Sequence, residues 1–169
     1  PKHPIPGNFF VLNMSRLSPE PASIDGADFK FAIVAARYNQ EYVDGLLNGV
    51  LSMLSQVGVP DEQVDIERVP GSNELPIAAQ MIAGSGKYDV IIALGAIIAG
   101  GTRHFEMVAD GSNMGLQQVA LDSGIPVVNG VIVGDSEEQV RERCLGSIPK
   151  GKEFGECALE MAQLRRKLR

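Results

Sequence analysis

The segment Gly95-Ala-Ile-Ile-Ala-Gly-Gly-Thr-Arg-His-Phe-Glu106 holds the residue types best suited to chemistry. It follows Val90-Ile-Ile-Ala-Leu94, an apolar run that reads as a buried strand. Gly100 and Gly101 leave backbone N–H groups open to a ligand. Thr102 is a helix-capping residue type. A helix opening there offers unpaired donors and partial positive charge, which suit a phosphate or carboxylate. The same pattern also fits a flexible turn with Thr102 as a plain cap. The spacing matches neither the Walker loop nor the dinucleotide fingerprint. His104 follows at once, and His3 is the chain's other histidine. Imidazole can take a proton from a substrate and return it, so His104 is the candidate for acid–base work near neutral pH. One histidine without a cysteine or carboxylate cluster at ligand spacing supplies too few ligands, so no metal is expected.

Other residues could share a site with it. Pro70-Gly71-Ser72-Asn73-Glu74 joins a predicted strand to a predicted helix. Glu74 either complements the helix dipole or accepts hydrogen bonds from a polyhydroxyl ligand. Asn39 fits an N-cap, and Tyr38 beside it either packs or stacks on a flat heterocycle. Arg143 and Lys150 flank a break at Leu145-Gly-Ser-Ile-Pro149. They are solvated cations unless that break returns to a ligand edge of this chain or of a neighbour.

The periodicity supplies the elements that position these residues. Strands are predicted over residues 29–35, 64–69, 88–94 and 126–133. Helices are predicted over 40–56, 73–83, 102–121, 136–144 and 152–168. Val43, Leu46, Leu47, Val50, Leu51 and Leu54 form one stripe, and Gly58 reads as the cap that ends it. Pro76 falls in a first helical turn, where proline is tolerated. Repeated strand–helix alternation predicts an α/β fold with a parallel sheet covered on both faces. Right-handed crossovers put the strand C-terminal ends along one edge, where such sheets bind ligands. Tyr38, Asn39, Glu74, Thr102 and His104 then share that edge.

Bulk properties narrow the function. The chain has 169 residues and a formal net charge of −6. Nucleic acid is a poor partner for it, because phosphate neutralisation needs clustered Lys and Arg. The basic cluster Arg165-Arg166-Lys167 with Arg169 reads as dipole complementation at a helix C-terminus. No apolar run approaches the ~20 residues of a membrane helix. Two cysteines, Cys144 and Cys157, show no paired spacing, which fits a reducing, cytoplasmic setting. Residues 1–26 are proline-rich without a period and read as an extended arm. Its Phe9-Phe-Val-Leu12 piece is apolar enough to pack on a neighbouring subunit. Residues 27–169 read as a single domain.

Val-Pro-Gly-Ser-Asn-Glu74 together with Gly95 to Glu106 resembles lumazine synthase. Supporting matches are Ala36-Arg-Tyr-Asn39, Ser85-Gly-Lys-Tyr-Asp89, Lys150-Gly151 and Ala158-Leu-Glu-Met161. The resemblance implies a flavodoxin-like, three-layer α/β/α sandwich with a four-stranded parallel sheet. It implies condensation of 5-amino-6-(D-ribitylamino)uracil with 3,4-dihydroxy-2-butanone 4-phosphate to give 6,7-dimethyl-8-ribityllumazine, the penultimate step of riboflavin biosynthesis, with no cofactor. It also implies a homo-oligomer, a pentamer or a pentamer-based shell, with sites shared between subunits, and riboflavin synthase as a further partner. By matching position, Tyr38 stacks on the pyrimidine and Asn39 helps bind it. Ser72 and Glu74 hold the ribityl chain; Gly100, Gly101 and Thr102 take the phosphate end. His104 transfers protons. Arg143 of the adjacent subunit clamps phosphate, Lys150 approaches the ring, and Asn129 belongs to the neighbour's wall of the pocket. Asn73, Gly95, Ala96 and Ile97 complete the implied substrate-binding set. Ala99 stands where the family usually has Arg or Lys, and Met107 and Asn129 where aromatics are common. These departures carry an alternative: a low-activity paralogue that binds lumazine- or flavin-like ligands, or a shell-forming protein. A mononucleotide binder would need a phosphate-cradling loop after the first strand, and Arg37-Tyr-Asn39 leads straight into a helix instead.

Overall fold

Two runs with no polar side chain, β1 (Phe31–Ala36) and β3 (Val90–Ile98), form the centre of the sheet. β2 (Val64–Val69) and β4 (Val127–Gly134) flank them in the order β2-β1-β3-β4, all parallel. Residues 23–169 are described by the structure, a computed structural model. The predicted arm up to residue 22, with His3 and the Phe9 piece, lies outside the described residues. Its last residues do not: Ile24 is buried in the core, and the Gly26 N–H donates to the Val57 carbonyl at 2.8 Å.

Strands apolar on both faces need cover on both. On one face Phe31, Ile33, Ile92 and Leu94 pack with Val43, Leu46 and Val50 of α1 (Gln40–Gln56) and Leu159 of α5 (Lys150–Lys167). On the other, Ala32, Val34, Ile91 and Ala93 pack with Leu75 and Ala79 of α2 (Leu75–Gly84) and Leu116 and Val119 of α3 (His104–Ser123). The result is the expected three-layer, flavodoxin-like sandwich. A short α4 (Glu137–Cys144) follows β4. Among the described residues no helix is long and apolar enough to cross a membrane.

α1 keeps its predicted bounds, and Gly58 ends it as expected. At φ 85° its N–H reaches the Ser55 carbonyl, and the Val59 N–H reaches Leu54. That is the paired closure of a glycine-capped helix. Four local readings are corrected. β3 runs past Leu94 to Ile98, because its register with β4 continues from Gly95↔Val131 to Ile98↔Gly134 after β1 has ended. α3 begins at His104, with Arg103 at its N-cap position and no side-chain cap bond, so Thr102 lies in the loop before it. Asn39 does not cap α1 with its side chain, which reaches β3 instead. The basic C-terminus does more than complement a dipole: Arg166 bonds Asp89 at 2.9 Å, and Arg165 bonds the Tyr88 carbonyl at 2.9 Å.

Candidate functional site

In a doubly wound sheet the strand order reverses at a switch point, and the crevice outside it is the usual ligand site. Here β1 and β3 leave the sheet in opposite directions, and a cavity of about 610 Å³ opens over their C-terminal ends. Three chain segments wall it. Tyr38 and Asn39 come from the β1–α1 junction, Gly71 to Glu74 from the β2–α2 junction, and Ala96 to Val108 from the end of β3 and the start of α3.

The β2–α2 junction is fixed by its own hydrogen bonds. Ser72–Glu74 is a 3-10 turn whose Glu74 carboxylate folds back. Its Oε2 accepts the Gly71 N–H at 2.9 Å, the Glu half of a capping box, while the Glu74 N–H donates to the Gly71 carbonyl at 3.2 Å. Ser72 is buried, and its Oγ lies 2.3 Å from where a Cβ on Gly95 would stand. Only glycine at position 95 lets this turn sit down on β3. Tyr38 lies on Gly71 in the same way: a Cβ there would stand 3.1 Å from the ring. The residue is nonetheless 74% exposed, and its ring is open to a flat guest.

On the opposite wall His104 is the first residue of α3, exposed at the cavity with Gly100 and Thr102. The Thr102 Oγ1 accepts the His104 N–H at 3.5 Å. The first N–H groups of α3 have no carbonyl partners within the helix, so this corner favours anions. Among the described residues no Lys or Arg lines the cavity. Arg103 is solvent-exposed and pairs with Glu106 at 3.1 Å.

Tyr38, Asn39, Ser72, Asn73, Glu74, Ala96, Ile97, Gly100, Thr102 and His104 thus line one cavity. Gly95 lies beneath it, and Gly101 sits in its loop without lining it. Three further residues do not border it within one chain. Asn129 bonds Asn113 of α3 at 2.9 Å and accepts the Val131 N–H of its own edge strand. Arg143 donates to the Gln139 carbonyl, and Lys150 pairs with Glu153 at 2.8 Å. Gly71, Ile98, Phe105, Met107 and Val108 also line the cavity, and the sequence reading gave them no role there. Helical spacing from His104 points at Met107 and Val108, three and four residues on. Ile98 becomes visible only once β3 is known to extend to it.

The model of the family described as 6,7-dimethyl-8-ribityllumazine synthase matches residues 28–166. The chain belongs to the 6,7-dimethyl-8-ribityllumazine synthase family. The match covers β1 to α5 and therefore every wall of the cavity. Membership in the lumazine synthase family implies a transferase of riboflavin biosynthesis. Cysteine chemistry has no part in the cavity: neither cysteine lines it, and burial pushes the Cys144 thiol up to about 11. Among the described residues no three His, Cys, Asp or Glu side chains gather as a metal site.

Proposed function

We propose that the protein condenses 5-amino-6-(D-ribitylamino)uracil with 3,4-dihydroxy-2-butanone 4-phosphate to form 6,7-dimethyl-8-ribityllumazine. The observation that carries this reading is the cavity itself, in which an exposed aromatic ring, a carboxylate, an amide-rich loop and an imidazole face one space. Tyr38 is the platform for the pyrimidine. Ser72, Asn73 and Glu74 receive the ribityl hydroxyls. Gly100, Gly101 and Thr102 receive the phosphate with the first turn of α3.

The chemistry then uses His104. The uracil's 5-amino group adds to the butanone carbonyl, and water leaves to give an imine. Proton removal beside the imine expels phosphate. The ribitylamino nitrogen closes the ring with loss of a further water. Each step moves a proton, and an imidazole beside the phosphate corner can take and return it. Holding two substrates in register supplies much of the remaining rate.

A doubly charged phosphate needs a cation, and among the described residues of one chain none lines the cavity. This supports a site completed by a neighbouring copy, with Arg143, Lys150 and Asn129 entering from it. The exposed apolar side chains on α2 and α3 support a homo-oligomer as well. Two unpaired cysteines agree with a cytoplasmic setting.

The deciding experiment is an absorbance assay of lumazine formation with both substrates at micromolar protein. Turnover that falls about a hundredfold or more in His104→Ala supports the reading, the scale of a lost acid–base group. Unchanged turnover in that variant removes His104 from the mechanism. Lumazine binding without turnover in the natural protein assigns the low-activity paralogue instead.

A further inference from the structure

Asn39 is the one non-glycine residue with positive φ among the described residues, at φ 55°, ψ 43°. Asparagine tolerates that left-handed region better than most side chains, and still at a cost. Something must hold it there. The β1–β3 ladder ends at Ala35↔Leu94, yet β3 continues. The next carbonyl on that side, that of Ala96, has no strand partner. Asn39 supplies one: its Nδ2 donates to the Ala96 oxygen at 2.8 Å, across 57 positions of sequence. The side-chain amide thus adds a rung where the strand can no longer provide it.

That rung has a second effect. Tyr38 is 74% exposed and its ring rests on Gly71, so burial does little to orient it. Its backbone is instead clamped on both sides. The Tyr38 N–H donates to the Pro70 carbonyl at 3.0 Å, and Asn39 ties the following residue to β3. The left-handed turn at Asn39 then sends the chain into α1, with the Asn39 carbonyl accepting the Tyr42 N–H at 3.0 Å.

We infer that Asn39 is a positioning residue, whose amide locks the β1–α1 turn onto Ala96 and so presents the Tyr38 ring to a heteroaromatic ring in the cavity. The inference rests on the proposed function only for the identity of that ring. It adds to a direct contact between Asn39 and the pyrimidine rather than replacing it: one Nδ2 hydrogen is held by β3, while the second and Oδ1 still face the cavity that Asn39 lines.

A mutant cycle separates the possibilities. Asn39→Gly keeps the left-handed turn and removes the donor; Tyr38→Ala removes the platform. The KM for the ribitylaminouracil in Asn39→Gly is expected to rise about three- to tenfold, the size of one neutral hydrogen bond. The KM for the butanone phosphate should stay within about twofold. The double variant should be no worse than Tyr38→Ala, because both changes act through one ring. Multiplying effects, or equal rises in both KM values, overturn the positioning role. A second measurement does not need turnover. Relative to the natural protein, Asn39→Gly should show faster amide hydrogen exchange at Tyr38, which bonds Pro70, and unchanged exchange at Ile33 and Ile92 within the ladders. Uniform or absent change overturns the inference even if the protein makes no lumazine. A locally confined change in a protein that makes none leaves the lock standing and rejects the proposed reaction instead.

Discussion

Gly95 shows how much one hydrogen atom in place of a side chain can decide. A methyl there would stand 2.3 Å from the Ser72 Oγ and 3.3 Å from Leu75. Ser72 is 5% exposed and has little room to yield. Gly95→Ala should therefore lift the Ser72–Glu74 turn from β3 and cost about 1–3 kcal/mol, as overpacking does. A thermal melt reads the cost, and an unchanged midpoint would mean the turn adjusts freely. Asp89 makes a pH prediction. Burial pushes its carboxyl up, but the Arg166 guanidinium, the Lys30 N–H and the nearby Arg165 charge outweigh that and hold it below the usual carboxylate range. A depressed folded pKa gives stability that is present above about pH 4 and lost as pH falls through the folded value. Asp89→Asn should be clearly less stable than the natural protein at pH 7, and the gap should close toward pH 2. A gap independent of pH would mean that packing, not charge, is what Asp89 contributes. The Asp89–Arg166 pair was not legible in the sequence, because it spans 77 positions and no local pattern announces it.

Elements were legible wherever a period was long and one-sided. The 40–56 stripe became α1, and its Val43, Leu46, Val50 and Leu54 are all buried. Boundaries set by pairing across the sheet were less legible. Nothing in Gly95-Ala-Ile-Ile98 says that β4 will keep pairing after β1 has stopped, so the segment read as loop. Thr102 looked like a cap by residue type, but the helix waits until His104. Three of the cavity residues, Ala96, Ile97 and Ile98, are held in place by that stretch of strand and its pairing with β4. The helix layer makes its own prediction. α1 and α5 meet at Gly49 and Gly151, where a Cβ on Gly151 would stand 2.4 Å from the Leu46 carbonyl oxygen and 3.0 Å from the Gly49 Cα. In an open helix Gly→Ala gains up to about 1 kcal/mol. Here the obstacle is backbone, so Gly151→Ala should have the opposite sign and destabilise by about 1–3 kcal/mol. Chemical denaturation with an unchanged m-value would report a clean loss; a gain would show that the two helices can slide apart.

At the scale of the whole molecule, the described surface is uneven. Met107, Met114 and Leu121 recur every seven residues along α3 and are 72%, 71% and 70% exposed. Residues so spaced fall on one line of a helix. Ile77 and Met81 of the neighbouring α2, four residues apart, are exposed as well. Single exposed apolar side chains are ordinary, but a repeated stripe on one helix with further exposed apolar residues on the next is the kind of surface that a partner covers. Met107 also lines the cavity, so a partner on this face would stand close to the site. Among the described residues no Lys or Arg lines the cavity, whereas the proposed phosphorylated substrate calls for a cation. Both deficits are met at once if the covering partner is another copy of the chain. Replacing Met114 and Leu121 together by Lys should leave the isolated fold intact, since both are surface positions, and should block association. Sedimentation of the natural protein is expected to show an oligomer and that of the variant a smaller species. Turnover should fall with it, and the KM for the phosphorylated butanone should rise more than that for the uracil, because the missing cation serves the phosphate. A dissociated variant with full activity would mean that one chain carries a complete site after all.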